Sequence, residues 1–225
     1  MRVIVSFDLF SAMTDSRSGA SALFGEIARE RGWDVDGETV YDAWDGHNKA
    51  LQREARPPTT FHDVSREALA RCHRDLGLDE DLVDADLERL EASVADWPLW
   101  PDIEAGIRAV AALPSTRVGL LSNVDDALAR RTRAHALVDP DLVLSSQRLG
   151  AFKPSPQIYA AAVRAAAPDR LVHVAASGRD VRGALEAGIA VVRLVRPGHA
   201  VDAAGPRPPL EIEDAADLPA VLDGL

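Results

Sequence analysis

Four groups of polar residues stand just beyond apolar runs, and their types suit displacement chemistry. Asp8 follows Val3-Ile4-Val5-Ser6-Phe7, and Ser122-Asn123 follow Arg117-Val118-Gly119-Leu120-Leu121. Lys153 comes after Asp141-Leu142-Val143-Leu144-Ser145, and Ser177 through Asp180 come after Leu171-Val172-His173-Val174. A carboxylate such as Asp8 can serve as a covalent nucleophile. A lysine beside it would keep it ionised and neutralise developing charge. Ser122, Asn123 and Ser177 can donate hydrogen bonds to an anionic substrate group. Asp180 can fix the lysine or position a water.

Each residue also has an ordinary structural reading. Asp8 would cap a turn, Ser122-Asn123 would open a helix near Asp125, Lys153 would sit in solvent, and Asp180 would face a helix dipole. The order and spacing of all four favour chemistry. Only two of the 25 basic residues are lysine, Lys49 and Lys153. In so arginine-rich a chain, a lysine at a special place suggests a compact charge whose pKa can move. His173 lies on a buried run and reads as a core residue, and no histidine has partners at metal-ligand spacing.

The elements that must position these residues follow from periodicity. Short β-branched runs at 3–7, 117–121, 141–145, 171–174 and 189–194 read as buried parallel strands. Helical patterns at 103–113, 125–137, 155–167 and 180–187 separate the later ones. Ser155-Pro156 reads as a cap with a first-turn proline, and Gly188 as a helix stop. Residues 15–97 contain no convincing strand, only helical patterns at 19–31, 37–56, 61–76 and 80–95. The expected architecture is α/β: a Rossmann-like doubly wound parallel sheet with an inserted all-helical cap. The core would comprise residues 1–14 and 98–225, and the cap residues 15–97, with a return hinge at 96–102. In such a sheet ligands bind at the carboxyl ends of the strands, where the four polar groups lie.

Composition bounds the function. The chain has 225 residues, 47% hydrophobic and 27% charged, which fits one globular domain with an insert and excludes disorder as the main reading. The formal net charge of −11 offers no bulk field for nucleic acid or an anionic membrane. A small-molecule substrate is the expected partner. No apolar run approaches the ~20 residues that span a bilayer. The single Cys72 cannot form an internal disulfide and reads as a buried helix residue, which fits a cytoplasmic setting.

The motifs resemble those of the haloacid dehalogenase superfamily of hydrolases over nearly the whole chain. Phe7-Asp8-Leu9-Phe10-Ser11-Ala12-Met13-Thr14-Asp15 is similar to the first motif, whose leading aspartate is the nucleophile. Leu120-Leu121-Ser122-Asn123 is similar to the second, and Phe152-Lys153-Pro154-Ser155-Pro156 to the third. His173 through Ala184 is similar to the fourth. The resemblance implies that Asp8, Lys153 and Asp180 are catalytic, and that Phe10, Ser122, Asn123, Ser177 and Trp44 contact substrate.

Departures from the family pattern narrow the reading. The phosphatase branch has a general-acid aspartate two residues after the nucleophile, where this chain has Phe10. It has Gly-Asp where this chain has Ala175-Ala176, so Mg²⁺ is disfavoured and would find only Asp8 and Asp180. The 2-haloacid dehalogenase branch uses no metal and carries an aromatic residue at the position of Phe10. Its first motif reads Gly-Thr in place of Ser11-Ala12, and its cap carries an arginine after a tryptophan, where Asp45 follows Trp44. Asp45 is either a solvated helix carboxylate or an invitation to a cationic or hydroxylated substrate. Arg53, further along the same helical pattern, could partly replace that arginine. Trp44, Trp97 and Trp100 either line a cleft or pack the core. The implied function is a metal-independent hydrolase of 2-haloacid dehalogenase type. The alternatives are a Mg²⁺-dependent small-molecule phosphatase with an altered site and a non-catalytic binding protein of the same fold.

Overall fold

A computed structural model describes residues 2–224. Six parallel strands form one sheet: β1 (Val3–Phe7), β2 (Thr116–Ser122), β3 (Val143–Ser145), β4 (Arg170–Ala175), β5 (Ala190–Leu194) and β6 (Leu210–Ile212). Their spatial order is β3-β2-β1-β4-β5-β6. The order reverses between β1 and β4, the point where a doubly wound sheet opens a crevice beyond its carboxyl ends. Asp8 lies at the end of β1, and Asp180 lies shortly after β4.

Among the described residues five α-helices intervene between β1 and β2, and the first four form the inserted block: α1 (Ser16–Arg31), α2 (Gly37–Glu54), α3 (Phe61–Leu76) and α4 (Val83–Ser93). Side-chain caps set the starts of the first three. Asp15 accepts from the Ser18 amide, Asp36 from Thr39, and Thr60 forms a reciprocal capping box with Asp63. Helices α1 and α2 approach at Gly37, where a Cβ would fall 2.0 Å from the Ser21 carbonyl oxygen. The outgoing and returning strands of chain lie side by side, with Thr14 bridged to Leu99 and the Trp100 amide donating to the Met13 carbonyl at 3.0 Å.

The remaining helices are α5 (Ile103–Ala111), α6 (Asp126–Ala129), α7 (Ser146–Leu149), α8 (Pro156–Ala166), α9 (Gly178–Glu186) and α10 (Leu218–Leu222). Alternating strand residues feed two cores. Val5, Phe7, Leu120 and Val174 join the α1–α4 block through Phe24, Trp44, Leu69 and Val94. Ile4, Leu121 and Val191 pack against Ile158, Tyr159 and Val181 on the opposite face. Cys72 is free and buried in α3, and burial pushes its thiol up to about 12. No helix among the described residues is long and apolar enough to cross a membrane.

Two expected elements differ. The helix expected over 125–137 stops at Ala129, with a separate 3₁₀ turn at Arg133–Leu137. Thr132 breaks it: its Oγ1 donates to the Ala129 carbonyl at 2.8 Å, and its backbone is extended. A local side-chain bond thus competes with the helical ladder. The strand expected over 141–145 begins only at Val143. Asp139 and Pro140 impose a 3₁₀ turn before it, with the Asp139 side chain accepting from the Asp141 amide at 3.0 Å.

Candidate active site

The nucleophile candidate is fixed by its own backbone. The Asp8 amide donates to the Val174 carbonyl at 2.9 Å, and the chain then turns through one π-helical turn at Leu9–Met13. That turn aims the Ser11 amide at Asp8 Oδ2, 3.0 Å away, and the Ser11 hydroxyl donates to the same oxygen. Asp8 Oδ1 accepts from Ser122 Oγ at 3.3 Å, across from the end of β2.

Lys153 ties the strand ends together. Its Nζ donates to Asp8 Oδ1 at 2.7 Å, Asp180 Oδ2 at 2.6 Å and the Leu121 carbonyl at 2.8 Å. An ammonium has three hydrogens, so all are used. Asp180 is equally committed. Its Oδ1 accepts from the Tyr159 hydroxyl at 2.8 Å, and its Oδ2 also lies 3.1 Å from His173 Nε2. Tyr159 reaches it because position 183 is glycine; a Cβ there would lie 2.7 Å from the Tyr159 oxygen.

Charge follows from this geometry. Burial pushes the Asp8 carboxyl up, but the Lys153 ammonium and the hydrogen bonds from Lys153 and Ser11 outweigh burial and Asp180 and hold it below its ordinary value. Burial likewise opposes the Asp180 charge, but Lys153 and His173 hold it far below the carboxylate range. Burial would lower Lys153, but its two carboxylates raise it. The cluster is therefore two carboxylates around one ammonium, all ionised at neutral pH.

A cleft opens above the cluster between the sheet and α2–α4. Asp8, Ser122, Lys153, Ser177 and Asp180 lie at its floor, and Phe10, Trp44, Phe61, Leu90, Val94 and Trp97 supply apolar wall. Phe10 stacks on Phe61 at 5.8 Å and meets Trp97 edge-on at 5.9 Å. Trp44 and Trp97 line the cleft, and Trp100 takes the other alternative and packs outside it. Its Nε1 donates to the Ser11 carbonyl at 3.1 Å, and the Arg196 guanidinium covers its ring. Arg53 is corrected, because it is exposed and lies outside the lining. Asp45 lines the cleft but is already paired with Lys49 one turn on, so no free charge awaits a cationic substrate. Asn123 lines the cleft with its side chain spent: it accepts from the Lys153 amide at 2.6 Å and donates to the Lys153 carbonyl and Gln52 Oε1.

Four site residues escaped the sequence reading. His173 and Tyr159 brace Asp180 from below. Gln52 and Arg179 line the cleft itself, and Arg179 Nη2 donates to Gln52 Oε1 at 2.7 Å. The available signals were weak: a histidine on the strand run that precedes Asp180, and an arginine directly before Asp180.

A second contact ties the helical block to the sheet. The Phe61 and His62 amides at the start of α3 donate to the Asp125 carboxylate at 3.0 and 2.9 Å. These are first-turn donors with no partner inside the helix. Asp125→Ala should cost about 1–2 kcal/mol and lower the melting temperature. An unchanged melting curve would show that this contact contributes nothing.

The chain is 29% identical over 200 residues to an (S)-2-haloacid dehalogenase of Xanthobacter autotrophicus, spanning 85% of this chain and 74% of that protein. It superposes on the crystal structure of an L-2-haloacid dehalogenase with a TM-score of 0.81 and 28% identity, over 100% of both chains. The Xanthobacter autotrophicus L-2-haloacid dehalogenase, solved with chloropropionic acid covalently bound, shares the fold with a TM-score of 0.79 at 23% identity, covering 100% of this chain and 99% of that one. The pattern of the haloacid dehalogenase-like hydrolases matches residues 3–188. This chain belongs to the haloacid dehalogenase-like hydrolase family.

Proposed function

We propose that the protein hydrolyses a small 2-halogenated carboxylic acid, with Asp8 as nucleophile and without a metal. The observation that carries this reading is the Asp8–Lys153–Asp180 cluster. An ionised carboxylate faces an apolar cleft, and the residue two positions on, Phe10, has no proton to give a leaving oxygen. A halide needs no such proton. An Asp8 oxygen attacks carbon 2, the carbon–halogen bond breaks, and the halide leaves with its electron pair. Water then cleaves the resulting ester, restoring the carboxylate and releasing the 2-hydroxy acid and one proton. Lys153 holds Asp8 ionised in the first step and steadies its carbonyl oxygen in the second. Asp180 acts by orienting Lys153, since its oxygens are taken by Lys153, His173 and Tyr159. Helices α1–α4 would serve as the cap that keeps water from the first step. The buried unpaired Cys72 suits a cytoplasmic setting.

The donor set does not fit Mg²⁺. The two carboxylates that would hold it share the Lys153 ammonium instead. Ala175 and Ala176, fully buried, offer no oxygen from their side chains. The test is a panel of 2-haloacids and small phosphate esters, assayed with Mg²⁺ and with chelator. Halide release that ignores both is the expected result. Phosphate release that chelator abolishes would replace this reading with the phosphatase one. Release from no compound would favour a binding protein.

A further inference from the structure

Among the described residues Arg179 supplies the cleft's one guanidinium, and its hydrogen bonds go to uncharged acceptors. Nη1 donates to the Lys49 carbonyl at 3.1 Å and Nη2 to Gln52 Oε1 at 2.7 Å. Among the described residues it has no carboxylate within ion-pair distance, whereas Lys49 has Asp45, and Lys153 has Asp8 and Asp180. A guanidinium carries five N–H groups, so three remain for a ligand. The side chain is only partly exposed and lines the same cleft as Asp8, Ser122 and Ser177. A largely buried charge is costly unless something of opposite sign meets it. Burial lowers its pKa, against the pull of Asp180, Asp45 and Asp8, as expected for a cation short of a close anion.

We propose that Arg179 is a specificity-determining residue that binds the carboxylate of the substrate through its free N–H groups. The inference rests on the reading above for the identity of the acid. The planar fork suits two coplanar carboxylate oxygens. Lys49 and Gln52 belong to α2, so their two bonds hold the fork in place before the ligand arrives. Asn123, a candidate for the same task, has its side chain committed elsewhere, and Ser122 donates to Asp8, so of the anion-binding candidates only Ser177, a neutral hydroxyl, shares the cleft with Arg179.

The experiment has two arms. In the first, calorimetry measures propionate, which cannot react, and inorganic phosphate on the wild type, Arg179→Gln and Arg179→Lys. Wild type should bind propionate more tightly than phosphate, Arg179→Gln should bind it about 10- to 100-fold more weakly, and Arg179→Lys should recover part of the loss. Equal propionate binding by wild type and Arg179→Gln, no propionate binding by wild type, or a preference for phosphate would overturn the proposal. In the second arm, halide release is compared between 2-chloropropionate and its neutral amide. Arg179→Gln should raise KM for the acid and leave the amide nearly unchanged, collapsing the preference between them. An equal loss on both would mean that Arg179 only fastens α2, and would overturn the proposal. Propionate binding that depends on Arg179, without halide release from wild type, would sink the dehalogenase reading and leave the anion site standing.

Discussion

Asp8→Asn should lower kcat for halide release by at least about 10⁴-fold while the protein stays folded. The amide matches the carboxylate in shape but has no charge with which to displace a halide. Lys153 would keep Asp180 and the Leu121 carbonyl as partners, so no buried cation is stranded. The local cost falls on the Ser11 amide and hydroxyl, which both donate to Asp8 Oδ2 in the wild type. That cost is about 1–3 kcal/mol, or a melting temperature lower by roughly 2–12 °C. Turnover near the wild-type rate in a folded Asp8→Asn protein would remove Asp8 from the chemistry.

Lys153→Met should be the most destabilising single change at the site. It leaves Asp8 and Asp180 buried together with no cation between them, a loss of about 3–5 kcal/mol at neutral pH. Its pH dependence follows from the wild-type shifts. Asp8 and Asp180 are both lowered in the folded state, so each stabilises the fold above its unfolded value of about 4, and that stability is lost as pH falls through the folded value. Lys153 is raised, so its contribution is complete below its unfolded value of about 10.4 and is lost only as pH rises through the folded one. Without the ammonium, burial and mutual repulsion push both carboxyls up. The variant can then shed its buried charge by protonation as the solution is acidified. The gap in melting temperature between wild type and Lys153→Met should therefore be widest near neutrality and narrow towards pH ~4. A gap that stays constant from neutral to acid would mean that Lys153 stabilises by packing. Lys153→Arg separates the two roles. It keeps the charge and recovers part of the stability, but a planar fork cannot meet three converging acceptors as an ammonium does, so activity should stay low.

The sequence made the floor of the site legible because the sheet is parallel. Parallel strands all end on one side, so Asp8, Ser122, Lys153 and Asp180 could be brought together from chain order alone. The strands β1, β2, β4 and β5 and the helices α8 and α9 followed from apolar periodicity and caps such as Ser155-Pro156, whereas the turn at Leu9–Met13 and the short helix α7 did not. The walls were not legible. Tyr159 matters because a glycine three helical positions from its partner Asp180 leaves space for a ring, which no local pattern announces. Gln52 meets Arg179 and Asn123 across 127 and 71 residues of chain, a distance that periodicity cannot bridge. Trp97 and Trp100 are three residues apart, yet one lines the cleft and the other packs beneath Arg196. The Thr132 break escaped notice because a hydroxyl bonding back to a carbonyl looks, in sequence, like any other residue in a helix.

The central claim is that an Asp8 oxygen enters the product. One turnover of 2-chloropropionate in oxygen-18 water tests it directly, followed by mass analysis of the product and of the peptide containing Asp8. The account expects an unlabelled 2-hydroxy acid and one heavy oxygen on Asp8, because water attacks the ester at the carboxyl carbon. A labelled product from that first turnover, with Asp8 unlabelled, would mean that water displaces the halide itself and would contradict the account.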